Sequence, residues 1–226
     1  VALAVNEKHG IWYNPMTGEY HEAIIGDKGI QLNLKSGESR ILITSNKPVD
    51  EWKLGSKVKV GGKEAIAAAD SKTIDLTANT WKLSFIEDAP KVGETFNLKG
   101  VKSWEGLSDK AKVMMGTGVY ETTIKLSKDD ANKQWAIDLG DVRESARVYI
   151  NGEYVGCAWA VPYILNCQDK LVKGKNTLRI EVTNLPANRI AEMDRQGVKW
   201  RKMKEINVVD INYKKTTYEN WTPVPS

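Results

Sequence analysis

Histidine and cysteine are nearly missing from this chain, with two of each in 226 residues. Neither His9 nor His21 sits in a His-Glu-x-x-His pattern, so metalloprotease chemistry has no scaffold. No Cys/His cluster has zinc spacing either. Cys157 and Cys167 are too few for the disulfide framework of a small secreted domain. They leave two readings: two buried free thiols, or one cross-strand disulfide, which needs Cα atoms within about 7 Å. No apolar run approaches the ~20 residues that span a bilayer. Residues 1–5 are too short for the apolar region of a signal peptide and lack a basic start; they read equally well as a strand. Gly-x-Ser-x-Gly is absent, as is a phosphate-cradling loop. Gly116-Thr117-Gly118 leads into a strand and not a helix, so it is no dinucleotide fingerprint. Charge excess is small: 33 basic and 29 acidic residues, interspersed, for a net +4. No basic run alternates with aromatics, so no nucleic-acid partner is expected.

What is present is β-strand text. Apolar residues make up 41% of the chain, enough to bury a core. Ile30, Leu32 and Leu34 alternate with polar residues. Ser36-Gly37-Glu38 then supplies a turn into Ile41-Leu42-Ile43. Trp12-Tyr13 ends a strand before the turn Asn14-Pro15-Met16-Thr17-Gly18. Residues 47–75 are rich in Lys, Gly, Ala and Asp. They suggest weak strands at 58–60 and 74–76, a helical turn at 64–70, and a connection between domains. Strand patterns strengthen beyond residue 76, at 81–85, 119–126, 135–139, 146–156 and 177–183. A short helix is predicted near 188–195 and a last strand at 208–213. The sharpest local signal is Asn151-Gly152, flanked by alternating residues. Both positions tolerate the positive φ that a two-residue type I′ hairpin requires. Many short strands with regular turns predict an all-β chain, a sandwich or jelly roll.

Catalytic constellations are harder to find. Glu105, Asp109, Asp138, Asp141, Glu144 and Asp169 are candidates for the facing pair a glycosidase needs, at ~5 to ~9.5 Å. Acids on β-sandwich loops are ordinarily solvated, so no catalytic residue is assigned. Asp129-Asp130, or Asp138 with Asp141, could hold a structural Ca²⁺ through oxygen ligands; without EF-hand spacing, exposed turn acids are the preferred reading, and no cofactor is expected. Aromatics are more suggestive, with eight Trp and eight Tyr against two Phe. Sugars stack on Trp and Tyr faces while amides and guanidinium groups bond their hydroxyls. Trp104, Trp159, Tyr163 and Trp200 lie in or beside turn-like text. Trp81, Trp135 and Tyr149 lie on strands and are expected in the core. For Trp104 and Trp159 the core and the sugar face are both open.

Four segments carry a family likeness: Gly116 to Thr123, Asp138 to Val142, Ala146 to Gly156, and Gly174 to Asn184, with Trp159-Ala160-Val161-Pro162-Tyr163 after the hairpin. Together they resemble the galactose-binding-like jelly roll, a sugar-binding domain of the β-galactosidase/β-glucuronidase clan of glycoside hydrolases. Asn184-Leu185-Pro186-Ala187-Asn188-Arg189-Ile190 is similar to the C-terminal region of large bacterial α-L-rhamnosidases. Trp12-Tyr13-Asn14-Pro15 and Leu34 to Ser39 are similar to the β-domain before the jelly roll in those enzymes. Cys167 and Asn166 depart from the pattern, where aliphatic and acidic residues are common.

The resemblance implies a small β-sandwich at 1–47, a connection at 48–75, and a jelly roll with C-terminal extension at 76–226. It implies a secreted or periplasmic bacterial parent whose hydrolytic barrel lies outside this chain. The expected partners are a plant-type oligosaccharide and the catalytic domain of the same polypeptide. Candidate carbohydrate contacts are Trp104, Trp159, Tyr163, Asn184, Asn188 and Arg189. Asn188-Arg189 places guanidinium donors beside an amide, which suits polyol or uronate recognition; a helix start with a surface salt bridge is the plainer reading. The alternatives are a β domain that only buttresses the barrel, and a small hydrolase acting alone.

Overall fold

The computed structural model describes residues 2–32, 34, 36–52, 60–63 (backbone), 72–167 and 170–198. Trp200, Asp169, the helical turn read at 64–70 and the strand read at 208–213 lie outside them. The chain divides into two compact units, 1–74 and 75–226.

In the first unit the strands are β1 (Ala2–Leu3), β2 (His9–Tyr13), β3 (Tyr20–Glu22), β4 (Ile25–Gly26), β5 (Gly29–Gln31), β6 (Ile41–Ser45) and β7 (Val60–Lys63), with a 3-10 turn at Val49–Glu51. They form two sheets, β1-β5-β4 and β6-β2-β3-β7. The Asn14 turn forms as its residues dictate. The Gly18 amide donates to the Asn14 carbonyl at 2.8 Å, and the Asn14 side chain accepts from the Met16 amide at 2.9 Å. The hairpin expected at Ser36-Gly37-Glu38 does not form. Strand β5 pairs with β1 and β4, whereas β6 pairs with β2, Leu42 opposite Trp12 and Ile43 opposite Ile11. Apolar partners on β2 outcompete the nearest strand in sequence. Residues 74–76 are not a strand.

The second unit holds β8 (Thr80–Ala89), β9 (Phe96–Lys99), α1 (Asp109–Lys112), β10 (Met115–Leu126), α2 (Lys128–Ala131), β11 (Ala136–Asp138), β12 (Ser145–Ile150), β13 (Glu153–Ala158), β14 (Ile164–Asn166), β15 (Gly174–Thr183) and α3 (Ala187–Arg195). Six of the strands make one antiparallel sheet in the order β13-β12-β15-β10-β8-β9. A two-stranded sheet, β11-β14, lies over it. The architecture is all-β. Strand alternation sets the core: Trp81, Leu83, Tyr120, Val148, Ile150 and Leu178 point inward, with Ile137 and Leu165 packed on them.

The predicted hairpin turn is formed by Asn151 at φ +53° and Gly152 at φ +83°. Its side chain also works at long range. Asn151 Nδ2 donates to the Lys170 carbonyl and to Asn176 Oδ1, both at 2.9 Å, and Oδ1 accepts from the Thr177 amide at 3.0 Å. Tyr149, expected in the core, lies half-buried on the other face of β12, its ring 5.5 Å from that of Tyr154. That outer face carries a row of charges. Glu121 bridges Lys82 at 3.9 Å and Arg179 at 3.5 Å; Glu181 bridges Arg179 at 2.8 Å and Arg147 at 3.9 Å.

Tyr120 makes a pH prediction. Its hydroxyl donates to the Lys102 carbonyl at 2.7 Å. Burial, and secondarily the charge of Glu105, holds the phenol well above the usual tyrosine range. Because the folded state resists ionisation, its contribution to stability is intact below about pH 10 and lost as pH rises further. A tyrosinate absorbance titration should leave at least one tyrosine silent until the chain unfolds. Ionisation of every tyrosine before loss of the circular dichroism signal would contradict this.

Candidate functional site

Register gathers five strand ends at one end of the six-stranded sheet. Met115 faces Ala89, Thr117 faces Thr183, Ser145 faces Thr183, and Ala146 faces Ala158. The segments leaving this end carry most of the predicted contacts. Trp159 follows β13, Asn184 follows β15, and α3 carries Asn188 and Arg189. With β12 between them, the backbones at Trp159 and Asn184 lie about two strand spacings apart, roughly 10 Å.

The six residues have different fates. Trp159 is 59% exposed, the most exposed aromatic side chain among the described residues. Tyr163 is half-buried, and its carbonyl accepts from the Leu139 amide at 2.9 Å. Trp104 is a correction to the sugar-face reading. It is 0% exposed, edge-on to Phe85 at 5.6 Å and tilted against Tyr120 at 6.3 Å. No ring face is left for a ligand. Asn184 is committed to the fold. Its Oδ1 accepts from the Gly116 amide at 3.0 Å and its Nδ2 donates to the Met114 carbonyl at 3.0 Å. This clamp fixes the start of β10, where Gly116 passes so close to β8 that a Cβ would sit 2.6 Å from the Glu87 carbonyl oxygen.

Asn188, buried, and Arg189, half-buried, border a cleft of about 560 Å³ between α1 and α3, lined also by Pro90 and Val113. That volume lies in the range of small-molecule sites. Lys110 and Lys112 form the opposite wall. Sequence reading missed both, because α1 is only four residues long. Its signal was present: Ser108 caps the helix, its hydroxyl accepting from the Ala111 amide at 3.2 Å, and Asp109 opens the first turn.

The other candidate chemistry is engaged locally. Ser103 donates to Glu105, Asp138 closes a turn on the Gly140 amide at 2.9 Å, and Asp141 pairs with Arg143 at 2.7 Å. Asp130 accepts from the Ser127 hydroxyl and Lys133, each at 2.9 Å. Among the described residues no three His, Cys, Asp or Glu side chains gather as metal ligands would. Cys157 and Cys167 are free thiols; burial pushes the Cys167 thiol pKa up. No described helix is long and apolar enough to cross a membrane.

The family model for the glycosyl hydrolase 2 galactose-binding domain-like family matches residues 108–224. The chain belongs to that family. Among the described elements the match runs from α1 to α3 and takes in four of the five strand ends just described, all but that of β8. A Formosa agariphila protein provisionally named a beta-glucuronidase is 28% identical over 214 residues, covering 86% of this chain and 18% of that protein. The structure of a rhamnosidase from Novosphingobium sp. PP1Y superposes with a TM-score of 0.64 at 20% identity, over 98% of this chain and 20% of that one. That likeness concerns the fold alone. The chain spans about a fifth of the length of either protein.

Proposed function

We propose that this chain is a non-catalytic accessory region of a secreted or periplasmic glycoside hydrolase, binding or framing a plant-type glycan for a hydrolytic barrel that lies outside it. Membership of the galactose-binding-like family supports the glycoside-hydrolase context. The single observation behind sugar contact is Trp159, a largely exposed indole at the same sheet end as Arg189. An exposed indole offers a flat apolar platform for a pyranose ring, and an arginine offers directional donors to hydroxyls.

A second reading rests on a different observation. Met115, Val161 and Leu185 are also exposed near this end. Apolar surface of that kind suits packing against a neighbouring domain, so the region would then buttress the barrel and bind no sugar. Calorimetric and fluorescence titration of the 226-residue chain with rhamnose- and galacturonate-containing oligosaccharides separates the two. Sugar binding predicts measurable heat, a shift in Trp emission, and roughly tenfold weakening in Trp159→Ala. Silence at millimolar sugar favours the buttress.

A further inference from the structure

We infer that the cleft between α1 and α3 is an oxyanion site, shaped to take the carboxylate or sulfate group of an acidic sugar. This rests on the sugar-binding reading above and narrows it to charged glycans.

The charge ledger of the cleft carries the inference. Four cations and two carboxylates line it. Glu192 is fully occupied: its Oε2 accepts from Arg195 at 3.0 Å and its Oε1 from Gln196 at 2.7 Å. This consumes Arg195 as well. Lys110, Lys112 and Arg189 have no ion-pair partner among the described residues, and only Asp109 remains to offset them. Three cations facing a single remaining carboxylate around one concavity leave an excess of two positive charges that repel one another, a cost that a bound anion would relieve. The two walls present different donors. The lysines provide compact ammonium charges on flexible stems, and Arg189 a planar fork that fits carboxylate or sulfate oxygens in pairs.

The local structure agrees with that sign. Helix α3 begins after Pro186 with no side-chain cap and no acid in its first turn, and Arg189 stands in that turn. A cation near the positive end of a helix opposes the macrodipole. Sequence choices that oppose local stability are expected where a site is built. Ala111 and Ala191 are both buried, which anchors the two helices whose exposed sides form the walls.

The test uses the 226-residue chain and length-matched neutral, uronate-containing and sulfated oligosaccharides. The expected result is that at least one acidic series binds roughly tenfold or more tightly than the neutral one at low salt, with the two acidic arms distinguishing carboxylate from sulfate. The advantage should shrink as ionic strength rises. It should be largely lost in Lys110→Gln/Lys112→Gln, which leaves Trp159 and Arg189 in place, while the binding of neutral sugar stays unchanged. Amide NMR shifts induced by inorganic sulfate, confined to 109–113 and 187–195, give an independent readout on the unmodified chain. Equal affinity for neutral and acidic sugars, or an acidic preference that survives the double substitution, overturns the inference and leaves the sugar-binding reading standing. Failure of every oligosaccharide and of sulfate to bind overturns both.

Discussion

Trp104→Ala is expected to cost the second unit about 3–5 kcal/mol, the range for deleting a buried aromatic. For a unit of this size that is a fall of roughly 10 °C in the unfolding midpoint. The indole is wholly enclosed and sits on Gly118, where an added Cβ would lie 2.4 Å from its ring. Gly118 is therefore the seat that lets Trp104 enter the core, and Gly118→Ala should destabilise by about 1–3 kcal/mol through overpacking. The two effects are coupled. In the Trp104→Ala background the clash is gone, so Gly118→Ala should become nearly neutral, an interaction that a double-mutant cycle measures. The indole Nε1–H has no partner among the described residues. Trp104→Phe removes that orphan donor as well as volume, and should recover part of the loss. A Trp104→Ala chain that melts within about 3 °C of the parent would show that the ring does not hold this core.

Asn176→Ala should be comparably severe, about 3–5 kcal/mol, for a polar reason. Asn176 is 0% exposed and fully satisfied. Its Oδ1 accepts from the Val172 amide at 2.8 Å and from Asn151 Nδ2 at 2.9 Å. Its Nδ2 donates to the Val172 carbonyl at 2.7 Å and the Gly174 carbonyl at 3.2 Å. Truncation removes four hydrogen bonds at a wholly buried position: the Val172 amide and the Val172 and Gly174 carbonyls lose this partner, and Asn151 Nδ2 is left with the Lys170 carbonyl alone. Asn176→Asp separates hydrogen bonding from size. An ionised carboxylate cannot donate to two carbonyls, and burial would raise its folded-state pKa. Stability lost through such a shift is lost as pH rises, so this variant should unfold more readily at pH 7 than at pH 4. Urea unfolding at both values checks the sign, and hydrogen exchange at the Val172 amide reports the local loss. An Asn176→Asp chain as stable at pH 7 as at pH 4 would contradict the account.

How far the sequence disclosed these features depends on the distance over which each is decided. The Asn151-Gly152 turn was legible because two adjacent residues set its backbone. The clamp from Asn151 to Asn176 was not, because its partner lies 25 positions away. Trp104 sits in turn text, and only its packing on Gly118 makes it core. The turn at Ser36-Gly37-Glu38 is likewise local, but β6 chose β2 on side-chain complementarity that no short window contains. Of the site, Trp159, Asn188 and Arg189 were visible as residue types. Lys110 and Lys112 read as ordinary surface charges until α1 was placed opposite α3.

The pairing of β10 with β15 sets the order in which this unit can assemble. Its register runs from Leu126 opposite Gly174 to Thr117 opposite Thr183, so everything between must first be closed into one long loop. Closing a chain of that length is an entropic barrier that slows folding. The β12–β13 hairpin lies inside that loop and forms from neighbouring residues alone, on a microsecond scale. Once formed, it presents β12 as a template for β15, and the effective loop shortens. A substitution at Asn151 or Gly152 should therefore slow refolding more than it speeds unfolding, the kinetic mark of a residue already in place at the transition state.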